Sequence, residues 1–395
     1  MNLDAIQTAL RDARLDGWLF YDHHHRDPIG DSILGIDPKA HVSRRWYYFV
    51  PATGTPAKLV HRIEQGRLDS LPGAKTQYSS WQELHAGLEN LLQNQKKLAM
   101  QYSPDNDIMY VSMADAGTIE FLRRLGKEIV SSADLVSQFE AVLTAEQIAS
   151  HAAAQREIDV ILIAAWAEIA RHLRPPSGID RSEKLTEYNM VEWLREAMRR
   201  EGLVWENGPD VSVNANTSDQ HYEATADHAT PIREGDFLLI DLWARQDTPS
   251  AIFYDITWTG VIGRDPTSKE LLIFETVRRA RDAAIGAVQQ AFAENRPIHG
   301  FEVDDAARSV IREAGFADKF VHRTGHNIAH EIHGPGAHLD NLETHDERRI
   351  LPNTCFSVEP GIYLPEFGVR SEVNMLTAPG KAWVTGRIQQ ELVRI

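Results

Sequence analysis

Four acids stand inside runs that otherwise read as buried β-strand. Asp241 ends Phe237-Leu238-Leu239-Ile240-Asp241, Asp255 interrupts Phe253-Tyr254-Asp255-Ile256, Glu359 follows Phe356-Ser357-Val358, and Glu372 lies in Val369-Arg370-Ser371-Glu372-Val373. A carboxylate buried alone is costly, so each needs a cation, hydrogen-bond donors or a metal ion. A separate salt bridge or strand-end cap would serve for any one of them. For all four it does not, because Arg370 is the one basic residue inside these strand runs. The segment from His322 to His333, with His326 and His330 inside it, adds imidazoles between the second acid and the third.

The surrounding sequence says what kind of molecule carries these acids. A chain of 395 residues suggests two or three domains, and its 43% apolar content is that of a globular protein. The net charge of −16 argues against nucleic-acid and anionic-membrane partners, since no basic surplus neutralises phosphates. The opening Met1-Asn2-Leu3-Asp4 has neither a basic nor an apolar leader region, so no signal peptide is expected. Val160 to Ala170 is too short and too interrupted, by Glu168, to span a bilayer. Cys355, the single cysteine, rules out an intrachain disulfide framework and fits a reducing, cytoplasmic setting.

Periodicity divides the chain into an N-terminal α/β domain, 1–140, and a mixed α/β unit, 141–395. In the first, helical spacing at Asp4–Ala13, Trp81–Gln95 and Ala114–Gly126 alternates with β-rich Gly17–Tyr21, Trp46–Val50, Lys58–His61 and Leu98–Tyr102. In the second, Thr144 with Gln147 forms a capping box that opens a long amphipathic helix, stopped by Pro175-Pro176. Further helices are expected over Glu187–Arg200, from Thr267-Ser268-Lys269-Glu270 onward, and near Val303–Ala314. Strands are expected at Phe237–Leu242, Ile252–Val261, Phe356–Val358 and Val369–Met375; in the last, Arg370, Glu372 and Asn374 share a face.

Several short patterns are weighed and set aside. His330-Glu331-Ile332-His333 has its histidines three apart and is followed by Gly334-Pro335-Gly336, so the zinc-protease helix that needs them four apart is rejected. His23-His24-His25 reads first as a polar loop. Cys355 sits in an apolar run, where a buried inert thiol is the default.

The order Asp241, Asp255, His326, Glu359, Glu372 resembles the pita-bread metallopeptidases: prolidases, Xaa-Pro aminopeptidases and methionine aminopeptidases. The resemblance covers 144–395 and rests on Asp236-Phe237-Leu238-Leu239-Ile240-Asp241, Tyr254-Asp255-Ile256-Thr257, Gly325-His326, Ser357-Val358-Glu359-Pro360-Gly361-Ile362-Tyr363 and Gly368-Val369-Arg370-Ser371-Glu372. It implies an α/β chain with a creatinase-like N-terminal domain and a C-terminal pita-bread domain, whose curved antiparallel sheet cups two metal ions. The extra N-terminal domain points to the prolidase branch and away from a minimal methionine aminopeptidase, and implies a homodimer.

Four carboxylates and one imidazole make a hard, oxygen-rich donor set, which suits Mn(II) first, with Co(II) and Zn(II) as alternatives. Four ligand charges match two divalent ions. The resemblance implies that Asp241 chelates one ion, Asp255 and Glu372 bridge both, and His326 and Glu359 hold the other. It makes Glu359 the proton carrier, His333 the group that steadies the tetrahedral intermediate, His221 a substrate-facing catalytic histidine, and His322 and Arg370 residues that either face the substrate or support the groups that do. Arg348, Arg349 and His345 are the expected cations for a free substrate carboxylate. The fourteen-residue spacing of Asp241 and Asp255 suggests that Arg245 to Ser250 enlarge the connecting turn. The function implied is hydrolysis of an Xaa-Pro dipeptide, a small peptide substrate. The alternatives are an Xaa-Pro aminopeptidase acting on longer chains and a creatinase-like small-molecule hydrolase or lyase.

Overall fold

The computed structural model describes residues 1–174 and 184–395; the expected stop at Pro175-Pro176 lies outside the described residues. The chain divides into two compact units, Met1–Glu140 and Ala141–Ile395.

The first unit carries a six-stranded mixed sheet. Its strands are β1 (Gly17–Asp22), β2 (Trp46–Pro51), β3 (Ala57–His61), β4 (Ala74–Tyr78), β5 (Lys97–Met100) and β6 (Glu128–Ser131), in the order β4-β3-β2-β1-β5-β6. Trp18, Phe20, Tyr48 and Val50 pack on one face, and Leu19, Tyr21, Tyr47 and Phe49 on the other. A sheet covered on both sides has strands that read as unbroken apolar runs, which is why β1 and β2 were legible. Helices α1 (Leu3–Asp12), α2 (Pro28–Leu34), α3 (Trp81–Leu92), α4 (Ala116–Arg124) and α5 (Ala133–Val136) complete the unit. The sequence reading passed over β4, β6 and α2. Four of the five side chains of β4 are exposed, so it has no buried face to announce it. His24 and His25 adopt positive φ in a turn whose backbone N–H groups at His25, Arg26 and Asp27 donate to Asp22.

The second unit pairs helices with strands twice over. Helices α6 (Ala145–Leu173) and α7 (Glu187–Arg200) share a core with β7 (Leu203–Val204), β8 (Asp210–Val213), β9 (Phe237–Gln246) and β10 (Tyr254–Val261). Helices α8 (Ser268–Ala293) and α9 (Gly300–Glu313) share another with β12 (Cys355–Val358), β13 (Gly361–Tyr363), β14 (Gly368–Arg370) and β15 (Val373–Ala378), which follow β11 (Asn327–Ile328). Strands β16 (Lys381–Thr385) and β17 (Val393–Arg394) close the chain. Capping boxes at Thr144 and Thr267 form as the sequence requires, with Gln147 and Glu270 reaching back to the cap.

Pairing is antiparallel throughout this unit except between β10 and β17. Two expectations need correction. The run Val369–Met375 is not one strand: it breaks at Ser371-Glu372, because β14 pairs with β13 while β15 pairs with β12. Likewise Arg245 and Gln246 do not enlarge a turn. They extend β9, held by Val204 and Leu203 of β7, and the connection is 247–253. Cys355 is a fully buried free thiol on β12.

Candidate metal centre

Alternation along two strands begins the site. In the β9–β10 hairpin Asp241 lies opposite Thr257, so Asp241, Asp255 and Thr257 share a face. The intervening Ile240, Leu242 and Ile256 enter the apolar core behind. Burying each of these aliphatic side chains is worth about 1.5–3 kcal/mol, enough to lock the register and hold the acids on the other face.

The remaining acids sit where strands stop. Glu359 lies between β12 and β13, and its backbone N–H donates to Thr324 O at 2.7 Å. Glu372 lies between β14 and β15; its N–H donates to Thr257 O at 3.1 Å, and the Thr257 hydroxyl donates to Glu372 Oε2 at 2.8 Å. Asn374 on β15 accepts the Asp255 N–H at 2.9 Å, so the two hairpins are stitched together through the acids.

His326 enters from the segment before β11. The Ser357 hydroxyl accepts from its backbone N–H at 2.9 Å and donates to Glu359 Oε1 at 3.0 Å, so one side chain sets both ligands. Gly325 permits this approach, since a Cβ there would lie 2.0 Å from Ser357 O. His326 Nδ1 lies 3.3 Å from Asn327 O, and a carbonyl only accepts, which assigns the ring proton to Nδ1. The Nε2 lone pair then faces Glu359 Oε1 at 3.3 Å and Asp255 Oδ2 at 3.7 Å. Lone pairs facing one another in a buried site call for a proton or a cation between them.

Arg370 brings a cation into this cluster. Its Nη2 donates to Asp241 Oδ2 at 2.5 Å, its Nε to Thr257 Oγ1 at 3.2 Å and its Nη1 to Tyr363 Oη at 3.3 Å. His322 donates from Nδ1 to Arg323 O at 2.7 Å, so its Nε2 accepts the Tyr363 hydroxyl, also at 2.7 Å. Both ring nitrogens of His322 are thus engaged. It reaches Arg370 through Tyr363, in keeping with the supporting position that is one of the two the resemblance implies for it.

One guanidinium does not balance four carboxylates. Burial first, then repulsion from Asp241, raises the pKa of Asp255 well above the carboxylate range. Burial and Asp255 raise that of Glu372. Burial also raises Glu359, against the opposing charges of His326 and Arg370. Asp210, opposite Asp241 on β8, is pushed up to about 7 by burial and then by Asp241. Burial holds His326 in its neutral form.

Asp241 Oδ1, Asp255 Oδ1 and Glu372 Oε1 are buried with no hydrogen-bond partner among the described residues. Donor atoms of Asp255, His326 and Glu372 lie within 4.8 Å of one another. Orphaned carboxylate oxygens around an inward imidazole lone pair are what a divalent cation satisfies, so the residues present fit a metal site.

The other expected residues lie at different removes. The His333 ring packs edge-on against His326, with centroids 4.3 Å apart, and keeps an exposed side. Its segment bends without forming a helix, so no zinc-protease helix exists here. His221 is exposed, and no hydrogen bond or ion pair among the described residues ends on its ring. Arg348 does not await a substrate carboxylate. It is buried against Asp346, with Nε–Oδ1 at 2.9 Å, and donates from Nη1 to Pro335 O. His345 is engaged with Asn341 and Glu347. Alternation in the sequence already puts Thr257 on the face of Asp255, though without a role; Ser357, Tyr363 and Asp210 carry no sequence signal of their part in the site.

Metallopeptidase family M24 matches residues 153–379, more than half of the chain. The Xaa-Pro dipeptidase of Pyrococcus furiosus is 32% identical over 163 residues, 41% of this chain and 43% of that protein. Dipeptidase PepE from Mycobacterium ulcerans superposes with a TM-score of 0.66 at 22% identity, over 99% of this chain and 96% of that one. The X-Pro aminopeptidase of Thermotoga maritima does so at 0.58 and 18%, over 100% and 99%. These two structures show a shared fold. The chain spans about half the length of the curated relatives it matches. A family match across the unit that holds the acids, and acids that converge as a metal site requires, place this chain in metallopeptidase family M24.

Proposed function

We propose that the protein hydrolyses Xaa-Pro dipeptides at a centre of two divalent ions, Mn(II) first and Co(II) or Zn(II) as alternatives, held by Asp241, Asp255, His326, Glu359 and Glu372. The observation that carries this is the set of three orphaned carboxylate oxygens gathered with the His326 lone pair. When bound, two such ions lower the pKa of a water between them and polarise a carbonyl.

The chain's own groups supply the rest. Glu359 is the proton carrier. Its Oε1 is held by Ser357, its side chain keeps 17% exposure toward solvent, and its raised pKa brings it nearer neutral pH. It takes a proton from the attacking water and returns it to the proline nitrogen as the bond breaks. His333, kept neutral by burial of its inner edge, donates N–H to the carbonyl oxygen as charge develops there. Arg370 holds Asp241 in place, and His322 fixes Arg370 through Tyr363. His221 faces the substrate from its loop. A cytoplasmic homodimer belongs to the same reading, with light scattering as its check.

The test is hydrolysis of Ala-Pro and of Ala-Pro-Gly by protein loaded with Mn(II). Ala-Pro should be cleaved, the tripeptide poorly, and chelator should abolish both. Preference for the tripeptide would turn the reading to an aminopeptidase, and turnover that survives chelation would overturn the metal mechanism.

A further inference from the structure

Strand β8 brings one more acid to the site, and none of the roles above uses it. Val211 and Val213 of β8 enter the core with Ile240 and Leu238 of β9, so Asp210 points to the opposite face. There it lies directly across from Asp241. Directly opposed side chains on one face of an antiparallel pair have Cβ atoms about 4.5–5.5 Å apart, and like charges so placed destabilise the sheet.

Two other buried acids in this unit, Glu187 and Asp304, are compensated from within. Glu187 accepts from Val213 N, Asn216 Nδ2, Tyr222 Oη and Thr230 N, and Asp304 from Thr324, Asn341 and Arg308. Asp210 is half-buried, and no hydrogen bond or ion pair among the described residues ends on its carboxylate. The charges acting on it are those of Asp241, Glu223 and Asp255, opposed by Arg370. Arg370 is already bonded to Asp241. Asp255 beside it is 5% exposed and carries an unpartnered Oδ1. Two divalent ions and Arg370 would together match the five acids in charge, yet Arg370 is committed to Asp241, and no cation among the described residues is hydrogen-bonded to Asp210 itself. A half-buried carboxylate that lies on the face of the candidate ligands and lacks a hydrogen-bonded partner among the described residues is placed for a cation that arrives with the ligand.

We propose that Asp210 is a specificity-determining residue, whose carboxylate receives a cationic group, ammonium or guanidinium, on the substrate residue N-terminal to the scissile bond. This rests on the peptidase reading above. The cation has two possible sources, the α-amino terminus or a Lys or Arg side chain.

The test compares wild type with Asp210→Asn and Asp210→Leu on Lys-Pro, Arg-Pro, Leu-Pro and Ala-Pro, with bound metal measured in each protein. A side-chain source predicts a wild-type preference for Lys-Pro and Arg-Pro over Leu-Pro that falls at least tenfold in both variants. An α-amino source predicts a fall of at least tenfold on all four substrates, expressed in KM. Unchanged kcat/KM on every substrate overturns the proposal, and so does a fall confined to kcat. Activity lost in step with bound metal also overturns it, making Asp210 a metal ligand. Wild type that cleaves none of the four fails the peptidase reading itself, and is read separately.

Discussion

Glu359 and Asp255 occupy one cleft but differ in reach. Asp255 is sealed between two hairpins, whereas Glu359 keeps an open edge at a strand break. The difference makes Glu359 the acid able to exchange protons with water. Glu359→Gln should weaken but not abolish metal binding and lower kcat by about 10²–10⁴ fold, as measured by turnover at saturating Mn(II). Near-normal turnover would remove Glu359 from that role. A second residue sets an acid limit on stability. Burial pushes the pKa of His151 down to about 4, with the Phe253 carbonyl opposing. The unfolded chain takes that proton at about pH 6.5 and the folded chain only near 4, so stability falls as pH drops through this window. The slope is about 1.4 kcal/mol per pH unit. In urea titrations, the stability advantage of wild type over His151→Gln should shrink by that slope between about pH 6 and pH 4.5. A pH-independent difference would count against it. At this scale the sequence was readable for the four acids of the candidate centre, because acids inside apolar strands are conspicuous. It misled at Arg348, whose partner Asp346 stands two residues away and looks like any loop acid until the fold buries both.

Elements explain why some functional parts stayed hidden. The loop bearing His221 has no periodicity, yet the structure fixes its base. Glu187, at the first turn of α7, gathers donors from Val213, Asn216, Tyr222 and Thr230, and the Thr217 hydroxyl accepts from Gly368 N at 2.7 Å. Removing one acceptor oxygen from a buried site costs about 1–3 kcal/mol. Glu187→Gln should therefore raise KM for Ala-Pro several-fold with metal content unchanged, since the loop loosens and the metal ligands do not. Unaltered KM would separate this loop from substrate binding. The capping boxes of α6 and α8 were legible because their signals are local. The interruptions at Glu359-Pro360 and Ser371-Glu372 were not, because they arise when one run must pair with two different strands. Strand β8 escaped for a related reason: four residues with one acid at the end make too short a pattern, and only its pairing with β9 shows where Asp210 points.

At the level of the whole molecule, the candidate centre draws every proposed metal ligand from Ala141–Ile395, and each unit has its own cores. Metal at one hundred times its Kd should add about 2.7 kcal/mol to the stability of the unit that binds it. Hydrogen exchange with and without Mn(II) should show new protection within 141–395 and none within 1–140. Protection spread evenly over both would mean that the units do not respond separately.

The lone thiol of Cys355 turns the same coupling into something countable. It is buried on β12, four residues before Glu359, and burial raises its pKa, so a thiol-directed dye meets almost no thiolate while the sheet is closed. Labelling then proceeds only through excursions that part β12 from its neighbours, and its rate becomes a clock for those excursions. Filling the centre should slow that clock, and one native sulfur atom, with no probe engineered in, reports how firmly the ions clasp the strands around them.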